Sequence, residues 1–415
     1  MRFRVIATVV LLVASLLSAG CNGSRELDEI AYVLTIGVDA AEGDQLILTF
    51  EIGIPRVLAS EGGKVDPKKG VNFVTVTAPT LAEGRNLLNS AIARAPNFSH
   101  VTTFIIGEDF ARRGVADFLA PAKRFREFRG SIDMVVVNGK AKDFMLQNTP
   151  EEVLASRWFN AMLTSGQETG YFLRTTLHEF YVRLKSGSGS PYTTLMGINP
   201  LSGEGRASGP AVPGDKAREY LPKDMPRESG NPANVIGTAV FKEDKLVGML
   251  PSEETRMLAM LLGNYPRGFV SVDDPLIPLK AINADIRLGR KPKIDIDIVG
   301  EHAIIHINVF LEGYISNIPS GINYESPEYK GLLEQQISGV VRQKMLQMLQ
   351  RTQEWGADVV DFGYYVRPHY TTHKEFRDLH WERLYPSAEL DVVVETVLRR
   401  NALMRKTSPI RPEEE

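Results

Sequence analysis

A single cysteine stands in 415 residues, which excludes an internal disulfide framework, a multi-cysteine zinc site and an iron–sulfur ligand set. Excess charge of either sign is lacking as well. The 48 Lys+Arg against 51 Asp+Glu leave a net charge of −3, far from the electrostatic footprint of a nucleic-acid binder. Apolar runs of about 20 residues, the length that crosses a bilayer as a helix, are missing. Catalytic signatures are missing too: there is no G-x-S-x-G elbow, no H-E-x-x-H and no G-x-x-x-x-G-K-[ST] loop. What is present is the composition of a folded globular protein, 43% hydrophobic and 24% charged, long enough for two or three domains.

The position of the lone thiol is informative. Arg2 and Arg4 precede an apolar run from Val5 to Leu17, and the small residues Ser18, Ala19 and Gly20 lead directly to Cys21. That order, positive then apolar then small, reads as a cleavable export signal over residues 1–20. Its end resembles a bacterial lipoprotein box, with cleavage between Gly20 and Cys21 and a diacylglyceryl group on the Cys21 sulfur. Ser18 departs from that pattern by standing where leucine is usual. The expectation is a mildly acidic, extracytoplasmic chain held to membrane lipid through acylated Cys21, since two acyl chains suffice for stable anchoring.

From Ile30 onward, strand and helix patterns alternate irregularly. Leu46, Leu48, Phe50 and Ile52 fall at every second place, Val71 to Val76 and Ile132 to Val137 are rich in β-branched residues, and Thr80 precedes a helical pattern. Residues 199–234 are rich in proline and glycine and read as a linker between an N-terminal domain (21–198) and a C-terminal region (235–405). The second region opens on a hairpin and helix, about 235–275. It continues with a sheet and long helices, about 276–405, and 406–415 is read as a flexible tail. Leu333, Ile337, Val340, Val341, Met345, Met348 and Leu349 repeat at three and four residue steps, the strongest helix signal in the chain. Asp358 to Tyr385 reads as a helical pair interrupted at Pro368. The fold class is α+β: three mixed domains, each a mostly antiparallel sheet with packed helices.

Gly203, Gly205 and Gly209 lack the spacing of a nucleotide loop and read as linker. His302 and His306 share one face of a strand, and His369, His373 and His380 would share one side of a helix. No metal motif accompanies either set, so they read as surface or packing residues. Glu253 and Glu254 are adjacent and face different directions, which suits helix-start electrostatics and not a paired acid and base. Met345, Met348 and Trp355 mark a core or subunit contact. No catalytic residue, metal or cofactor is assigned.

Taken together, several segments resemble one family in order and spacing. Cys21 is followed by Arg25-Glu26-Leu27 and Ile36-Gly37-Val38-Asp39, then by Phe104-Ile105-Ile106-Gly107-Glu108. Gly237 to Lys242, Asp244 to Gly248 and Glu253-Glu254-Thr255-Arg256 follow, and Asp358 to Phe362, Trp381 and Leu390 to Arg400 close the series. The chain is similar to the Ger(x)C spore germination proteins. The resemblance departs from that pattern at Asn22-Gly23 and around Pro368. It implies three α+β domains and a non-enzymatic lipoprotein subunit of a nutrient germinant receptor. Such a subunit sits on the outer face of the inner spore membrane, with multi-pass A-type and B-type subunits as partners. An anchored solute-binding lipoprotein that captures the germinant directly is the second reading, and an envelope hydrolase the third.

Overall fold

The structure, a computed structural model, describes residues 2–8, 29–53, 70–148, 155–401 and 407. Gly20, Cys21 and the 406–415 tail apart from Thr407 lie outside these residues. The fold is α+β, with its strands gathered into two sheets.

Strands β1 (Ile30–Ala40), β2 (Leu46–Gly53) and β3 (Val71–Ala78) form an antiparallel meander. On the other side of β1 lie two parallel neighbours, the short β4 (Ala95–Asn97) at its start and β5 (Thr103–Gly107) further along. Next come β6 (Asp133–Val137) and β7 (Tyr192–Ile198), also parallel, then the antiparallel pair β8 (Ala233–Lys242) and β9 (Lys245–Leu250). This nine-stranded sheet has a parallel centre that the reading of antiparallel sheets misses, and the reason is burial. Every residue of β5 and β6 is buried, so Thr-Phe-Ile-Ile-Gly and Asp-Met-Val-Val-Val show no alternation, as expected of parallel strands covered on both faces. Phe104, Ile106, Met134 and Val136 pack into one helix layer, with Leu88, Phe118 and Leu119. Ile105, Val135 and Val137 pack into the opposite layer, with Phe144 and Phe159.

The hairpin β8–β9, expected at the head of the second unit, is the edge of this first sheet, because β8 pairs with β7 from Tyr192↔Val240 to Ile198↔Ala233. The intervening proline-rich connection leaves one strand and returns to its neighbour. Side-chain amides pin it: Asn199 Nδ2 donates to the Met225 carbonyl and Asn234 Nδ2 to that of Pro222, each at 2.7 Å.

The second sheet holds β10 (Gly268–Asp273), β11 (Ala281–Leu288), β12 (Lys293–Val299), β13 (His302–Asn317) and β14 (Glu389–Asn401). It is antiparallel except for the β13–β14 pair. The long helix Pro327–Glu354 lays its apolar stripe on one face, burying Leu333, Ile337, Val341 and Met345 with Ile305, Ile307 and Leu311. That helix also guards the edge strand β14. Arg342 Nε donates to the Val392 carbonyl and the Leu398 N–H donates to Glu334 Oε1, each at 2.8 Å, so edge backbone groups are occupied.

The expected helical pair over Asp358–Tyr385 is four short pieces: a helix Phe362–Val366, a 3-10 turn Arg367–His369, and helices His373–Asp378 and Trp381–Leu384. Asp361 and His380 adopt positive φ (67° and 51°), and a Thr372/Glu375 capping box restarts the chain after Pro368.

Candidate functional site

The helix Ser252–Leu261 follows β9 and is wedged between the two sheets, with all ten residues buried. Its polar half therefore cannot face water, and each charge needs a partner inside the protein. Arg256 donates to both Glu253 oxygens at 3.0 and 3.2 Å and to the Tyr265 hydroxyl at 2.7 Å, with its guanidinium over the rings of Tyr171 and Tyr265. Lys344 reaches Glu253 from the long helix at 3.1 Å and Asp215 of the proline-rich connection at 2.7 Å. Both helices and the connection thus meet at one buried ionic junction.

Electrostatics differ sharply within it. Burial works against the Glu253 charge, but Arg256 and Lys344 outweigh it and hold this carboxyl below its usual range. Burial raises Asp215 in spite of Lys344. Glu254 meets Arg351 at 3.2 Å, and burial lifts it to about 7. Glu219, from the connection, is lifted to about 8 by burial and then by neighbouring Glu254. Arg351 opposes the rise at both acids, and Lys344 opposes it at Glu219 as well.

Segments that are far apart in sequence meet throughout the molecule. Thr255 Oγ1 donates to Thr238 Oγ1 at 3.1 Å, joining the helix to the hairpin. The Asp39 carboxylate accepts from the N–H groups of Ala141 and Lys142, at 2.7 and 2.9 Å, beside Gly107, where a Cβ would collide with it. Asp358 accepts from the Trp381 indole at 2.9 Å and the Gly363 N–H at 3.0 Å.

Glu253 and Glu254 stand in the first turn of this helix, where the sequence reading put them, and they are in addition buried ion partners, which that reading missed. A signal existed: Lys344 falls on the apolar stripe of the long helix, between Val341 and Met345. No periodic signal pointed to Asp215 or Glu219. Of the histidines, His306 lies between Asp391 (2.9 Å) and Asp297 (3.4 Å), with its pKa raised chiefly by the Asp391 hydrogen bond. His302 is exposed on the same strand. His369, His373 and His380 do not share a helix face, because the chain breaks between them. Among the described residues no group of three or more His, Cys, Asp or Glu is arranged to hold a metal, and no described helix is long and apolar enough to cross a membrane. Met345 and Met348 are core, and Trp355 packs over Gly248 of β9.

Two mixed sheets joined by a buried helix and a charge junction define an α+β body. The model for the spore germination protein N-terminal domain matches residues 23–198, and that for the spore germination B3/GerAC-like C-terminal domain matches 236–402. The chain belongs to the Ger(x)C family of spore germination proteins. It is 21% identical to spore germination protein KC of Bacillus subtilis (strain 168), over 98% of this chain and 97% of that protein. Spore germination protein B3 of the same organism is 22% identical over 89% and 91%. The crystal structure of the GerBC protein superposes with a TM-score of 0.53 at 16% identity, covering 88% of this chain and 97% of that one, so the fold is shared.

Proposed function

We propose that this protein is a membrane-anchored, non-enzymatic lipoprotein subunit of a nutrient germinant receptor, working by contact with A-type and B-type membrane subunits. The observation that carries the reading is the match of both spore germination domains along the chain, the first starting two residues after Cys21. Glu219 and Glu254, whose carboxyls burial raises, support it, because they lie where the connection, the buried helix and the long helix meet. Acylated Cys21 supplies the anchor on the outer face of the inner spore membrane, following signal cleavage after Gly20.

The test replaces Cys21 by Ala in spores lacking the native gene. The reading expects the protein to leave the membrane fraction and nutrient-triggered germination to fall, while the soluble protein keeps its circular dichroism. Normal germination with a fully soluble variant would refute the anchoring role.

A further inference from the structure

We propose that the surface formed by residues 362–374 rests on the membrane, taking anionic phospholipid headgroups. The inference rests on the anchored-lipoprotein reading and extends it to a second point of contact. Between Asp361 and Glu375 the chain carries Tyr364, Tyr365, Tyr370, Arg367, Lys374, His369 and His373 and no carboxylate. Tyr364 is 62% exposed and Tyr365 37%, with their rings edge to face at 6.0 Å. Glu375, which closes the segment, is occupied by the N–H groups of Thr371 and Thr372. Amphipathic aromatic rings prefer the membrane–water boundary, and cations beside them are drawn to anionic lipid.

The base under this surface is firm. Phe362, Gly363 and Val366 are buried, and Asp358 ties Gly363 to Trp381. Its place in the fold is what points to lipid. The Ser190 N–H donates to the Asp358 carbonyl at 2.7 Å, and Arg183 Nη1 donates to that of Val359 at 3.2 Å. Residues 358–363 therefore sit against the segment that leads into β7. Because β1, β5, β6 and β7 run parallel, that segment and the start of β1 lie at the same end of the sheet. Three strand spacings separate them, about 14 Å. From Glu29 back to Cys21 the chain extends by at most about 27 Å. A bilayer holding the Cys21 acyl chains is thus within reach of the tyrosine and arginine surface.

The experiment uses the mature chain, residues 21–415, with Cys21→Ala, so that the surface is read without its lipid. Described residues 2–8 of the removed segment are exposed, and no described strand begins before Ile30. Co-sedimentation with phosphatidylcholine vesicles containing phosphatidylglycerol should exceed that with phosphatidylcholine alone, and added salt should weaken it. Arg367→Glu with Lys374→Glu should weaken binding about tenfold or more. Tyr364→Ser with Tyr365→Ser should weaken it as well, with unchanged circular dichroism in both variants. Equal sedimentation with the two vesicle types, or binding indifferent to the charge reversal, overturns the proposal. So does lost germination in the charge-reversed variant when the parent binds no vesicles, which would assign the surface to a protein partner. Mass spectrometry of the native N-terminal peptide reads the anchor separately: an unmodified Cys21 sinks the anchoring while the vesicle assay still reports on the surface.

Discussion

Lys344 carries the junction at the scale of single residues. Its side chain is 2% exposed and, among the described residues, is the one cation that touches both Asp215 and Glu253. In Lys344→Met two buried carboxylates would lose it at once, so the expected loss of stability is about 3–5 kcal/mol, read as a lower urea midpoint. An unchanged midpoint would mean that water reaches the junction. Glu219 acts in the opposite sense. With a folded pKa of about 8 against an ordinary value of 4.5, its contribution to stability is complete below about pH 4.5 and is lost as pH rises through 8. Glu254, at about 7, adds to the same slope. The melting temperature should therefore decline between about pH 5 and 8, and Glu219→Gln should flatten much of that decline. A variant as pH-sensitive as the parent would locate the titration elsewhere. The sequence reading passed over Lys344, although a charge on a helix's apolar stripe is a visible signal. Its partner Asp215 gave no such signal, because a contact between the connection and a helix more than a hundred residues later leaves no local pattern.

Among the elements, the hairpin β8–β9 was visible from its turn at Glu243 and Asp244, but its sheet was not. Strand pairing between β7 and β8 spans the proline-rich connection, and that composition argues for a boundary when read without coordinates. Close approach fixes the other side of the hairpin. Gly248 is buried under the Trp355 ring at the end of the long helix, and any Cβ there would overlap the ring. Gly248→Ala should push Trp355 aside at a cost of about 1–3 kcal/mol, measured by denaturant unfolding. Wild-type stability in that variant would show that the helix end can shift freely. The segments that carried the family resemblance fall on such contacts: Asp39 beside Gly107, Thr238 with Thr255, and Asp358 with Trp381. They were recognisable as words in a sequence before their pairing could be seen.

At the level of the whole molecule, the two family models and the two sheets divide the chain differently. The C-terminal match begins at Ile236, yet β8 from Ala233 to Lys242 belongs to the first sheet. One hydrophobic cluster contains Tyr192, Val240 and Leu250 of the first sheet together with Val270, Ile282 and Ile305 of the second, and the helix Ser252–Leu261 lies in it. A fragment of residues 236–402 would retain β9 and that helix while losing β7, Asp215 and the surface under Tyr171. It would then expose one edge of β8 and leave Lys344 with half its partners. The intact chain should unfold in one cooperative transition, and the fragment alone should aggregate or give poorly dispersed NMR spectra. If the fragment instead folds with dispersed spectra and its own cooperative melt, the hairpin and second sheet are self-sufficient. The ionic junction would then be a docking contact between separable bodies, not part of a shared core.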